Sequence, residues 1–121
     1  MKNKEIVVID LDATIQVLET REMALECLGE VFDAIAGYKS KFNDAHTASD
    51  IEKLRAQAHI MKGILACCSL PAMKSALTPY HELLRDENSD DAQRREAHDA
   101  LMVEMDRFVE YYPKFKAENE E

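Results

Sequence analysis

Apolar residues recur along this chain every third or fourth position, the period of a helix with one buried face, and nowhere does a sustained two-residue alternation mark a solvent-facing strand. The pattern predicts five helices. A short one runs from about Asp10 to Leu18, with Asp10 or Asp12 as its cap, and Thr20 is placed to cap the second. That second helix carries Ala24, Leu28, Val31 or Phe32, Ile35, Tyr38 and Phe42 and ends near Asp44. Ser49-Asp50-Ile51-Glu52 has the form of a capping box and opens the third. The third keeps Ile51, Leu54, Ala58, Met61, Leu65 and Cys68 on one stripe. Ser69 is expected to cap the fourth, with Pro71 in its first turn and Met73, Leu77, Tyr80 and Leu84 buried; Pro79 predicts a kink or break. After the polar segment Asp86–Asp90, a cap at Asp90-Asp91-Ala92-Gln93 starts the fifth, whose buried face is Ala97, Leu101, Met105, Phe108, Tyr112 and Phe115. Four long amphipathic helices with short connections predict an all-α, up-and-down four-helix bundle with an additional short N-terminal helix. The whole chain reads as one domain with a core from about residue 9 to 115, and the tail after Lys116 as frayed.

The third helix holds the unusual chemistry. His59 falls one position off the buried stripe and should reach solvent, while Lys62 and Gly63 lie one turn further along the same side. A glycine inside a helix is ~1 kcal/mol worse than alanine, so Gly63 calls for a compensating use. Its missing side chain leaves room for a bulky group on the His59 ring or for another protein's backbone, and Lys62 puts a positive charge where an anion on that ring would sit. An exposed imidazole, an adjacent cation and a steric gap suit acceptance of a phosphoryl group.

Ala58-His59-Ile60-Met61-Lys62-Gly63 resembles the signature of histidine-containing phosphotransfer (HPt) domains, a histidine followed three positions on by lysine and four on by glycine. The likeness extends over roughly Ile9 to Phe115; Ser69 departs from the glycine that many members carry there. The resemblance implies a phosphorelay intermediate of a two-component system. His59 would accept a phosphoryl group from a receiver-domain aspartate and pass it to another receiver, with Lys62 stabilising charge and Gly63 giving access. Partners would be the receiver domains of hybrid sensor kinases and response regulators, which would supply magnesium; the chain itself would bind no cofactor and have no kinase activity. Arg55, Ala56, Ala66 and Cys67 would line the docking strip with Ile15 of the first helix. His81 lies where such proteins often carry a polar residue close to the active histidine, the alternative being an ordinary histidine of an amphipathic helix.

Composition narrows the field. The chain has 121 residues, 46% hydrophobic, enough for its own core and a monomeric bundle. Its three glycines are scattered, so no phosphate-cradling loop supports nucleotide binding. Fifteen basic against 24 acidic residues give a net charge of −9 with no basic cluster in the sequence, which argues against nucleic acid and anionic membranes. The N-terminal run Ile6–Ile9, behind Lys2 and Lys4, is too short for a signal peptide or a membrane span, and a cytoplasmic location is expected. Cys27, Cys67 and Cys68 make neither an even framework nor a Cys-x-x-Cys motif and read as free, largely core thiols.

Two further readings compete. Ile6–Thr14 also fits the apolar strand and Asp-x-Asp-x-Thr that open haloacid-dehalogenase-type phosphatases, with Asp10 as nucleophile and Asp12 as general acid; that chemistry needs a doubly wound parallel sheet for which no further strands are evident. A non-catalytic helical adaptor would keep the bundle but would not need His59, Lys62 and Gly63 together. His46 is expected in a turn and His98 on a solvated acidic helix face. A zinc site from His59, Cys67, Cys68 and His81 has no established ligand spacing.

Overall fold

The computed structural model describes residues 7–119. Lys2, Lys4, Ile6 and the last two glutamates lie outside them. The described residues form five α-helices: α1 (Leu11–Leu18), α2 (Arg21–Thr47), α3 (Ile51–Cys67), α4 (Pro71–Arg85) and α5 (Asp91–Asn119). No strand occurs among the described residues.

Local chemistry explains most helix starts. Asp10, Thr20 and Asp50 each accept a hydrogen bond from the backbone N–H three residues on, at 3.1 Å, satisfying one of the donors a helix leaves orphaned at its first turn. At α5 the cap is reciprocal: the Gln93 N–H donates to Asp90 Oδ1 at 2.8 Å, and the Asp90 N–H to Gln93 Oε1 at 3.0 Å. The box expected at Ser49 does not form and Asp50 alone caps α3, because Ser49 takes a left-handed backbone (φ 54°) that turns the chain out of α2.

Ser69 does not cap α4. Its N–H donates to Thr14 Oγ1 and its carbonyl accepts from the Asp10 N–H, both at 2.9 Å, so it ties α1 to the α3–α4 connection. The α4 start then rests on Pro71, whose missing N–H is no loss in the first turn. Pro79 does not break α4, which runs unbroken through it. The carbonyl that loses its partner belongs to Ser75, which, like Pro79, lies on the exposed side where water can serve. α2 continues past Asp44 to Thr47, so His46 sits in its last turn rather than in a loop. α5 remains helical to Asn119, where Arg21 donates to the Asn119 carbonyl at 3.0 Å; the last two residues of the tail expected to fray lie outside the described residues.

The helices enclose one core, a helical bundle. α2 packs on α3, α3 on α4, α4 on α5 and α5 back on α2, while α1 lies against α2 and α3. Arg21 at the start of α2 meets Asn119 at the end of α5, and His46 at the end of α2 stacks on His98 near the start of α5, so these two helices run in opposite directions. Arg55 near the start of α3 meets Leu84 near the end of α4 and fixes the same relation there. Buried apolar residues run from Ile9 to Phe115 and include most of the stripes read from the periodicity, with Tyr38, Ile51 and Ala97 only half-buried at their edges. Of the pair left open, Val31 is buried, while Phe32 is half-buried and stacks on Tyr112 with ring centroids 4.5 Å apart. No helix among the described residues is long and apolar enough to cross a membrane.

Candidate functional site

α3 buries Leu54, Ala58, Met61 and Leu65 and turns His59, Lys62 and Gly63 to the opposite, exposed side. A Cβ built on Gly63 would meet nothing within 4 Å. No internal contact therefore demands glycine at this position, and the space above it is open.

His59 lines a cleft of about 620 Å³ between α3 and α4, with Arg55, Ala56 and Lys62 from its own helix and His81 and Arg85 from α4. Arg55 Nη2 and Nε donate to the Leu84 carbonyl at 3.1 and 3.3 Å, which holds its guanidinium at the C-terminal end of α4, where a cation suits the orphan carbonyls. Glu52 is the acidic residue on the cleft wall. Next to it, a smaller groove of about 230 Å³ shares Lys62, His81 and Arg85 and adds Ala66, Lys74 and Glu82.

His81 is half-buried and faces this cluster. Its own burial pulls its pKa below the usual imidazole value, and the positive charges of Lys62 and Arg85, and then the neighbouring His59 and Arg55, pull the same way. No hydrogen bond among the described residues joins His81 to His59; the two interact through charge across a shared cleft. No basic cluster is visible along the sequence. The fold makes one, because opposed α3 and α4 bring Arg55 and Leu84, 29 positions apart, into contact and set Lys62 and Arg85 around the same space.

The other residues singled out divide cleanly. Ala56 lines the His59 cleft, Ala66 the adjoining groove, and Cys67 is exposed in the last turn of α3. Ile15 lies half-buried on α1 and is no part of either cleft. Ile60, outside the docking strip expected from the sequence, is 50% exposed beside Ala56 and Gly63 and adds an apolar side chain to the same face. Asp10 is the N-cap of α1 and Asp12 an exposed acid of its first turn; neither stands at a strand end, as the phosphatase arrangement requires. Cys68 is buried against Cys27, and among the described residues no group of three or more His, Cys, Asp or Glu side chains converges as a metal site.

His98 differs most from expectation. It is 3% exposed, not solvated. Its Nε2 lies 2.8 Å from Asn43 Oδ1 and its Nδ1 3.0 Å from the Tyr80 hydroxyl, and its ring stacks on His46 with centroids 4.1 Å apart. The carbonyl oxygen of Asn43 accepts, so the neutral ring carries its proton on Nε2 and takes the Tyr80 O–H bond on Nδ1. Burial, and then His46, lower its pKa to about 4 against the opposing pull of Asp99. The signal was present, since His98 stands three positions before Leu101 and seven before Met105 on the buried stripe, but the acidic neighbours Glu96 and Asp99 masked it.

No family model, curated protein or solved structure matches this chain.

Proposed function

We propose that this protein is an HPt-like phosphorelay intermediate of a two-component system and that the α2–α5 ring is an up-and-down four-helix bundle serving as its scaffold. What carries the reading is one arrangement: an exposed histidine in the middle of a rigid helix, with a lysine and a space-leaving glycine one turn away, in a cleft ringed by Arg55, His81 and Arg85. In the transfer, an unprotonated nitrogen of His59 attacks phosphorus, the P–O bond to the receiver aspartate breaks, and the aspartate leaves as carboxylate; return transfer reverses each change. Lys62 and Arg85 stabilise the phosphoryl oxygens, and the open position at Gly63 lets the receiver's backbone close over His59. Ile60, Ala56, Ala66 and Cys67 supply the docking face. Magnesium comes with the receiver, whose acidic pocket holds it. The contact is transient, so a small interface suffices, and the carrier works as a cytoplasmic monomer.

The test is direct. The protein and its His59→Gln variant are mixed with receiver domains phosphorylated at aspartate, and the label is followed. We expect an acid-labile, base-stable adduct on the wild type alone, with unchanged helicity in the variant. Absence of label on the wild type, with the receiver still bound, would replace the reading with that of a helical adaptor.

A further inference from the structure

Among the described residues, a close approach between nucleophilic side chains away from the cleft joins Cys27 of α2 to Cys68, the C-cap of α3. Their sulfurs lie 2.6 Å apart as free thiols, closer than unbonded sulfurs ordinarily sit and about half an ångström from disulfide bonding distance. The backbone holds both ends in place. Cys27 is in the interior of α2, and the Cys68 N–H donates to the Ile64 carbonyl at 3.0 Å. Cys27 is half-buried and Cys68 fully buried, while Cys67, next in sequence, points outward and is exposed.

We propose that Cys27 and Cys68 are a redox-responsive pair that closes to a disulfide under hydrogen peroxide, stapling α2 to the end of the helix that carries His59. The half-buried Cys27 is the sulfur the oxidant reaches. Its sulfur attacks one peroxide oxygen, the O–O bond breaks, and Cys27 becomes a sulfenic acid with release of water. The Cys68 sulfur then attacks the Cys27 sulfur, the S–O bond breaks, and the departing hydroxide takes the Cys68 proton as a second water. Two thiols lose two electrons and two protons, and one peroxide becomes two waters. Burial raises the pKa of the Cys68 thiol, with Cys27 adding to the shift, so Cys68 is the poorer attacker of the peroxide and acts second, as a resolving partner by virtue of its position within reach of the Cys27 sulfur. The bond would close a span of 41 positions between helices already in contact, which restricts the unfolded chain strongly. It would tie down the end of α3 beside Gly63 and Cys67, and nothing in it depends on phosphotransfer.

The experiment uses the Cys67→Ser protein, which removes the exposed thiol and its cross-reactions. Folded protein is treated with stoichiometric hydrogen peroxide, quenched, alkylated and weighed. We expect a loss of about 2 Da with no alkylation, restored by a dithiol reductant, and a rise in Tm on the order of 10 °C in the oxidised form. Neither Cys27→Ser nor Cys68→Ser should show the change, and the wild type should keep one alkylatable cysteine, Cys67. Full alkylation of both cysteines after oxidation, gain of oxygen at Cys27 without bond formation, or a wild-type bond that involves Cys67 would overturn the pairing.

Discussion

Gly63 is the residue whose identity carries the most information, because the fold gives it nothing to avoid. With open space around its Cβ position, Gly63→Ala should stabilise α3 by ~1 kcal/mol, the ordinary helical advantage of alanine, visible as a higher urea midpoint at unchanged m-value. A bulkier Gly63→Gln should leave folding intact yet cut phosphoryl transfer to His59 at least tenfold, because the side chain would stand where the partner closes. Normal transfer by the glutamine variant would show that the glycine serves no access role. Gly29 offers the contrast: a Cβ there would come within 3.1 Å of the Tyr112 hydroxyl, so its small size is a packing matter between α2 and α5. Sequence alone does not separate the two glycines, since both sit mid-helix and only their neighbours differ.

At the level of elements, the junction of α2, α4 and α5 holds a polar network in which half-buried Asn43 and buried Tyr80 both meet the buried His98. His98 has a folded-state pKa near 4 against an ordinary value of 6.5, so between these values the unfolded chain binds the extra proton and the folded one does not. This contribution to stability is complete above about pH 6.5 and is lost as the pH falls toward 4. Urea denaturation should lose about 2 kcal/mol from this group between pH 7 and pH 5, and the drop should flatten in His98→Gln. Tyr80→Phe leaves Nδ1 without its donor and should cost ~1–2 kcal/mol at pH 7. The helices themselves were largely readable from local signals: Asp10, Thr20 and Asp90 cap as their side chains suggest, and the three-and-four spacing marked the buried faces. The misreadings fell where a neighbouring element took over a group, as when Thr14 and Asp10 engaged Ser69, or where Tyr80 and Asn43 offered His98 partners that its acidic sequence neighbours hid.

For the whole molecule, a chain of net charge −9 concentrates Arg55, Lys62 and Arg85 around His59 and His81. If this cluster guides an acidic partner onto His59, the second-order rate of phosphotransfer should fall steeply as salt rises from low to physiological ionic strength, because exposed charges are screened over ~10 Å. Arg85→Glu should lower that rate several-fold and shallow its salt dependence, with no change in helicity, since Arg85 is exposed and outside the core. A rate insensitive to both would leave the cluster without a steering role.

Sequence alone determined that the chain is helical, where three of its five helices begin, most of the buried faces, and that His59, Lys62 and Gly63 share an exposed side of one helix. Those features depend on residues three or four apart and on side chains bonding their own backbone, and such interactions are complete within one or two turns. Tertiary structure decided the rest: the basic cleft of Arg55, Lys62, His81 and Arg85, the burial of His98, and the meeting of Cys27 with Cys68. Each of these joins side chains from different helices, and their distances are set by which helices pack together and in what direction. That choice is made by the summed burial of whole faces, so no local spacing in the sequence records it.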